Sequence, residues 1–423
     1  NHRAKFREVD KFWNNIENEY MNEELNTEEK GLQLDEKSNR KHSLSDTPKR
    51  TGEIECETAK KTKTTQDPST LASSTSCDDE TEEQDEQIEI DLVDLKKQLE
   101  MEPLIEWKVG NINVTRKFRQ YQRSVIDKVI SYGLKWSDSY EILAFASIIV
   151  LSWPCPYSKF FTNREWDQVT RTNPYVIRHP VIPSSISTVL REVAMMHLMG
   201  KESHMQSDES KLSKAVARTF NDLCDIPTHS PTKISEELHC DMLLYPYINS
   251  LFFGRLAEYE VRLNRTVSGT KKRPDFSCVV DDIPILNSEI KPLGVTLLGK
   301  KKDFAKVHLR AKKSVNQQLN LKGGPGEAGS LINMGDEVES FFMNFKYGLY
   351  CSWPFHRTRL ATDKASMPLI ESNFCHFVAL EERVNKLAED FKGRNQPFTP
   401  PLQMKFMTEF PDSPQLKQLL ELS

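Results

Sequence analysis

Asp275, Glu289 and Lys291 are the residues of this chain whose types and spacing could do chemistry. Asp275 follows Pro274, and after thirteen intervening residues Glu289 and Lys291 stand two apart in Ser288-Glu289-Ile290-Lys291-Pro292. Two carboxylates offer hard oxygen donors to a divalent cation such as Mg²⁺. An ammonium beside them can orient a water or stabilise the charge that develops on a phosphoryl group. Hydrolysis of a phosphodiester needs an activated water, neutralised phosphoryl oxygens and a stabilised leaving oxygen, and this set of groups meets that need.

Local patterning shows how they could be brought together. Side chains two apart on a strand share a face, so Ile285, Asn287, Glu289 and Lys291 project to one side of a strand over 283–291, with Leu286 and Ile290 turned to the other. Asp281-Asp282 is a turn signal between that run and the β-like run 274–280. Counting outward from the turn, Val280 faces Ile283 or Pro284 and Asp275 faces roughly Glu289. Before these runs come a helix over 236–253, opened by Ser235 and interrupted by Pro246, and a first β-like run at 257–263. After them come a helix at 304–321, a fourth strand at 338–347, a further strand at 350–355 and an amphipathic helix at 374–391. This order predicts an α/β (α+β) unit with a mixed sheet.

Pro274-Asp275 followed by Glu289-Ile290-Lys291 resembles the signature of the PD-(D/E)XK, or restriction-endonuclease-like, superfamily, whose core is an α-β-β-β-α-β unit. The resemblance covers about 235–350. It implies Asp275 and Glu289 as ligands of Mg²⁺ or Mn²⁺, joined by the backbone carbonyl of Ile290, and Lys291 as the catalytic lysine. It also implies an acid on the first core helix, for which Glu236 fits ahead of Glu237 and Asp241. A Lys or Gln on the helix after the third strand, Lys313 or Gln317, is implied as well. The Ser-Glu-Ile-Lys-Pro wording and the helical segment before the core also resemble a lineage-expanded group of proteins from early-diverging fungi. The implied function is metal-dependent hydrolysis of nucleic acid, with DNA as the expected substrate. The competing expectation is a nuclease-like fold with an idle site, serving as a nucleic-acid-binding or protein-interaction module.

Charge is distributed in a way that bears on partners. The net charge of -5 over 423 residues conceals strong segregation: 78–95 carry ten acids and no Lys or Arg, whereas 271–322 are strongly basic. Lys271, Lys272, Arg273, Lys300, Lys301, Lys302, Lys306, Arg310 and Lys313 flank the acidic motif and are the candidate nucleic-acid-binding residues. A solvated face is the alternative for the same residues.

The rest of the chain divides by composition. With 38% hydrophobic residues and a mean hydropathy of -0.57, a sizeable part must lie outside any core. Residues 1–87 read as largely disordered and charged, with spacing for a short helix at 5–21. Within them Arg40-Lys41-His42 and Lys60-Lys61-Thr62-Lys63 have the composition of nuclear-import signals or of a solvated linker. Residues 88–225 read as all-helical, with an apolar helix over 142–151 at the centre; 226–395 hold the nuclease-like unit, and 396–423 a Pro-rich tail with a short terminal helix. Eight scattered cysteines without metal-ligand spacing predict reduced thiols and an intracellular protein, with the nucleus as one expected location. The longest apolar run is too short for a membrane span.

Two other readings fail on their residues. His239-Cys240-Asp241 and Asp275-Phe276-Ser277 approach kinase motifs, but Pro246 stands where the catalytic-loop Asn belongs. Gly323-Gly324-Pro325-Gly326 lacks the Gly-Lys-Ser/Thr ending of a phosphate loop and reads as a turn.

Overall fold

The computed structural model describes residues 92–393 apart from 102, 104, 179, 202, 225–226, 232, 254–258, 265–273 and 322–324. The expected charged segment at 1–87 with its helix at 5–21, the tail at 396–423, and Lys271, Lys272 and Arg273 lie outside these residues.

Helices lead the described chain: α1 (Leu92–Glu100), α2 (Val114–Tyr132), α3 (Ser139–Phe145), α4 (Asn163–Thr170), α5 (Ser184–Leu198) and α6 (Lys211–Asp222). A small ribbon, β1 (Lys108–Val109) and β2 (Ile112–Asn113), precedes α2. The helices begin where the sequence supplies caps. Asn113 accepts from the Arg116 N–H, Ser210 from the Ser213 N–H, and Thr162 forms a reciprocal capping box with Glu165.

A seven-stranded mixed sheet forms the centre, in the order β3-β9-β8-β7-β6-β5-β4. Its strands are β3 (Ile148–Val150), β4 (Glu260–Leu263), β5 (Phe276–Val280), β6 (Ile283–Lys291), β7 (Glu327–Met334), β8 (Glu337–Lys346) and β9 (Leu349–Arg359). β4, β5 and β6 form an antiparallel meander, whereas β6 and β7 run parallel. A parallel pair requires a long crossover, and α9 (Leu297–Leu321) supplies it, lying against both strands. On the other side of the sheet, α10 (Ile370–Lys392) packs on β5, β6 and β9. β6 is thus covered on both faces, and all of its residues but Lys291 are buried.

The helix ahead of the meander is built in three parts: α7 (Glu236–His239), a π-helical turn (Cys240–Leu244) and α8 (Tyr245–Leu251). Ser235 Oγ caps it by accepting from the Leu238 N–H at 3.2 Å. Pro246 has no N–H to give the preceding turn. The wide turn, with Tyr245 N donating to Cys240 O, accommodates that loss where the sequence predicts a kink.

Three expectations are corrected. The run 142–151 is not one helix: α3 ends at Phe145, Ser147 takes φ 59°, and Ile148–Val150 become β3, parallel to the edge of β9. Short apolar runs do not distinguish helix from strand by periodicity, and three consecutive β-branched residues favour the strand. The region expected to be all-helical therefore contributes an edge to the central sheet. The strand that follows the crossover helix is Glu327–Met334, not the expected 338–347, which is instead antiparallel β8. β7 is buried along almost its whole length, so it shows none of the alternation that reveals a half-exposed strand. The helix expected at 304–321 begins two turns earlier, at Leu297, and so carries Lys300, Lys301 and Lys302 on its first turns.

Among the described residues no helix is long and apolar enough to cross a membrane. Cys155, Cys240, Cys278, Cys351 and Cys375 are free thiols.

Candidate active site

The three motif residues converge at one end of the sheet, where β6 finishes and β5 begins. The register between those strands pairs Ser277 with Asn287, and Phe276 N donates to Ser288 Oγ at 2.8 Å. Continued by one residue, that register sets Asp275 beside Glu289. Asp275 Oδ2 accepts the Ile290 N–H at 2.6 Å, which fixes its carboxylate against the Glu289–Ile290 peptide. A bulge between Cys278 and Val279 takes up the difference between this register and the Val280–Ile283 pairing at the turn.

Lys291 and Glu236 complete this corner. Lys291 Nζ lies 3.1 Å from Glu236 Oε2 and 3.8 Å from Glu289 Oε1. Of the three acids on the first core helix, Glu236 therefore reaches the motif, while Glu237 and Asp241 lie exposed. The helix is pinned by His239, which is fully buried and has Nε2 2.6 Å from Asn333 Oδ1 near the end of β7. Asn333 Nδ2 in turn donates to the carbonyls of Gly335 and Glu337.

The crossover helix supplies a second shell of charge. Asp303, Lys306 and Arg310 follow one another at helical spacing along the face of α9 that covers Glu289. Arg310 Nη1 is 2.5 Å from Glu289 Oε2. Lys306 Nζ is 3.4 Å from Glu289 Oε1 and 3.1 Å from Asp303 Oδ1. All of these side chains are well covered: Glu289 is 7% exposed, Lys306 10%, Arg310 13% and Asp303 2%. Lys306 and Arg310, expected on a DNA-facing surface, thus point inward and serve as counter-ions of the motif carboxylate. Gln317 stands seven residues beyond Arg310, about 10 Å further along the helix axis. Lys306 and Arg310 are the residues of this helix that meet the motif carboxylate.

The electrostatics follow from this layout. The cluster gathers four carboxylates (Glu236, Asp275, Glu289, Asp303) and three cations (Lys291, Lys306, Arg310). Burial would raise the Glu289 carboxyl, but Lys306, Arg310 and Lys291 outweigh it and bring it down to about 2. Asp275 is the carboxylate left over. Burial, then the charges of Glu289 and Glu236, push it up to about 7, against the opposing Ile290 N–H bond and the Lys291 charge. Burial and Glu289 also raise Asp303. Burial would lower Lys291, yet Glu289 and Glu236 hold it above the ordinary lysine range. Lys291 is therefore a fixed positive charge at neutral pH, suited to orienting groups and stabilising negative charge rather than to accepting a proton.

Among the described residues no three His, Cys, Asp or Glu side chains form a ready-made metal cage. The donors are nonetheless of the kind that hold Mg²⁺, which takes one or two carboxylates and fills its remaining positions with water and substrate oxygens. Asp275, Glu289 and the Ile290 carbonyl are hard oxygen donors at one peptide, and burial together with the neighbouring Glu289 and Glu236 charges raises Asp275, a cost that a divalent ion would relieve.

The remaining basic candidates lie on the first half of α9 and beyond. Lys300 Nζ is 3.8 Å from Glu337, and Lys302 Nζ lies over the Trp136 ring at 5.4 Å. Lys301 and Lys313 are half-buried. Sequence reasoning missed Asp303 altogether. Its signal was the charged i, i+3, i+7 stripe Asp303/Lys306/Arg310 set among Phe304, Ala305, Val307 and Leu309, a pattern that puts charge on a helix face flanked by apolar residues.

Comparisons with protein-family models, with curated proteins and with solved structures return no match.

Proposed function

We propose that this protein is a PD-(D/E)XK-like, metal-dependent nuclease that hydrolyses phosphodiester bonds in DNA. The observation that carries the reading is the convergence of Asp275, Glu289 and Lys291 on one peptide: Asp275 bonded to the Ile290 N–H at 2.6 Å, and Lys291 3.8 Å from Glu289. The element order supports it too, since helix, three antiparallel strands, crossover helix and parallel strand run consecutively over 236–334.

In this reading Asp275, Glu289 and the Ile290 carbonyl hold Mg²⁺ or Mn²⁺. When bound, the ion polarises the phosphoryl oxygens and lowers the pKa of an attacking water. Lys291, kept charged by Glu236 and Glu289, directs the water and stabilises the negative charge that grows on the phosphoryl oxygens. Glu236 orients Lys291. Lys300, Lys301 and Lys302, on the first turns of α9, draw the polyanionic backbone in.

The rival reading, an idle nuclease-like module that binds nucleic acid or a protein partner, is favoured by one observation. Both Glu289 oxygens already have cationic partners. Plasmid nicking separates the two. Wild-type protein with Mg²⁺ or Mn²⁺ is expected to convert supercoiled plasmid to open circles, and Asp275→Ala is not. Equal nicking by both proteins, or none by either, leaves the binding module. For the basic turn, simultaneous replacement of Lys300, Lys301 and Lys302 by Ala is expected to weaken DNA binding in gel shifts by about 10-fold at low salt and to flatten its salt dependence. An unchanged affinity would remove these residues from the DNA path.

A further inference from the structure

We infer that Arg310 is a built-in brake on metal loading: its guanidinium occupies Glu289 Oε2 and must give way before a divalent ion can use that oxygen. The inference rests on the proposed metal-dependent reading and concerns how its site is regulated. Mg²⁺ sits about 2.0–2.1 Å from a carboxylate oxygen and demands near-octahedral surroundings. Arg310 Nη1 already lies 2.5 Å from Glu289 Oε2, in a space where the Glu289 side chain is only 7% exposed. A guanidinium and a divalent cation cannot share that oxygen without strong repulsion, which low solvent exposure leaves poorly screened.

Lys306 is placed differently. It stands further from Glu289, at 3.4 Å, and Asp303 at 3.1 Å gives it a second partner to keep when Glu289 is claimed by a metal. The Asp303/Lys306/Arg310 stripe therefore divides the work: Lys306 retains a counter-ion throughout, and Arg310 is displaced. Loading becomes an exchange of cations at Glu289. Arg310 acts through Glu289, and so it is a positioning residue.

Binding of Mn²⁺ to the full chain, followed by the electron paramagnetic resonance of the free ion, tests this without relying on cleavage. Arg310→Gln is expected to bind Mn²⁺ at least about 10-fold more tightly than wild type. Arg310→Lys, which keeps the charge but not the planar fork, should fall between the two. Arg357→Gln removes an exposed guanidinium, 63% accessible and 3.0 Å from Glu339, and controls for the general field of the protein. It is expected to change Mn²⁺ affinity by less than about 2-fold. Far-UV circular dichroism verifies that each variant is folded, and Arg310→Lys carries the comparison should Arg310→Gln unfold. If wild type binds Mn²⁺ and the Arg310 variants bind it equally or more weakly, the brake is refuted and the metal-dependent reading survives. Equal tightening by Arg310→Gln and Arg357→Gln would also refute it, since a bulk field would then explain the effect. No Mn²⁺ binding by any of the proteins removes both the brake and the metal-dependent reading.

Discussion

Replacing Lys291 by Met is expected to reduce plasmid cleavage by a factor on the order of 10³, the scale at which loss of a preorganised charge or donor at a reacting centre is felt. DNA affinity and fold should change little. The reason for this division is local. Glu236, one carboxylate that Lys291 serves, is 43% exposed and can be solvated when the ammonium goes. Glu289, the other, keeps Arg310 at 2.5 Å and Lys306 at 3.4 Å and is not left as a lone buried charge. Lys291→Arg retains the charge with altered geometry and should recover part of the activity. Because Glu289 and Glu236 hold Lys291 above the ordinary lysine range, wild-type cleavage should show no limb near neutrality that disappears in Lys291→Arg. Single-turnover rates across pH measure all of this. A Lys291→Met protein within about 10-fold of wild type would mean that the ammonium is a structural counter-ion and no more.

Asp275→Asn is expected to stabilise the metal-free protein at pH values above about 7, by about 4 kcal/mol at most, given one carboxyl raised from 3.8 to about 7. The sign follows from proton counting. Between 3.8 and about 7 the unfolded chain releases the Asp275 proton while the folded chain keeps it, so wild-type stability falls as pH rises through that window and levels off above it. Asn cannot ionise, keeps an oxygen for the Ile290 N–H, and escapes that fall. Glu289 behaves in the opposite sense. Held near 2, it contributes stability that is complete above 4.5 and is lost as pH drops toward 2, but it does so in both proteins and cancels in their difference. Urea unfolding in the presence of a chelator should therefore give coincident curves at acid pH and a gap that opens toward neutrality. Mg²⁺ is expected to narrow that gap by stabilising wild type alone, as any ligand of the folded state does. A constant gap, or wild type more stable than Asp275→Asn above neutrality without metal, would show that burial and the neighbouring Glu289 and Glu236 do not disfavour the charged form of Asp275.

These two results bear on one design. Asp275 is the surplus carboxylate of the cluster, and in the proposed reading that surplus would make the corner receptive to a divalent ion. The strained charge sits at strand ends next to a π-helical turn, an arrangement often found where a fold gives up stability for function. Arg310 neutralises Glu289, and in the proposed reading that same contact would slow metal loading.

The sequence by itself determined the parts of this site that are local. Strand periodicity over Ile283–Lys291 put Asn287, Glu289 and Lys291 on one face, and the Asp281-Asp282 turn brought Asp275 to within one residue of Glu289, the bulge between Cys278 and Val279 supplying the last step. Ser235 likewise announced the helix that carries Glu236. Only the tertiary structure decided what surrounds them. β7 shows no alternation because it is buried on both faces, and Ile148–Val150 join the sheet through a partner strand two hundred residues away that no local pattern names. The turning inward of Asp303, Lys306 and Arg310 was equally invisible from composition. A basic run reads the same whether its charges meet solvent, a phosphate backbone or a buried carboxylate, and it is the packing of α9 across β6 and β7 that gives Lys306 and Arg310 to Glu289.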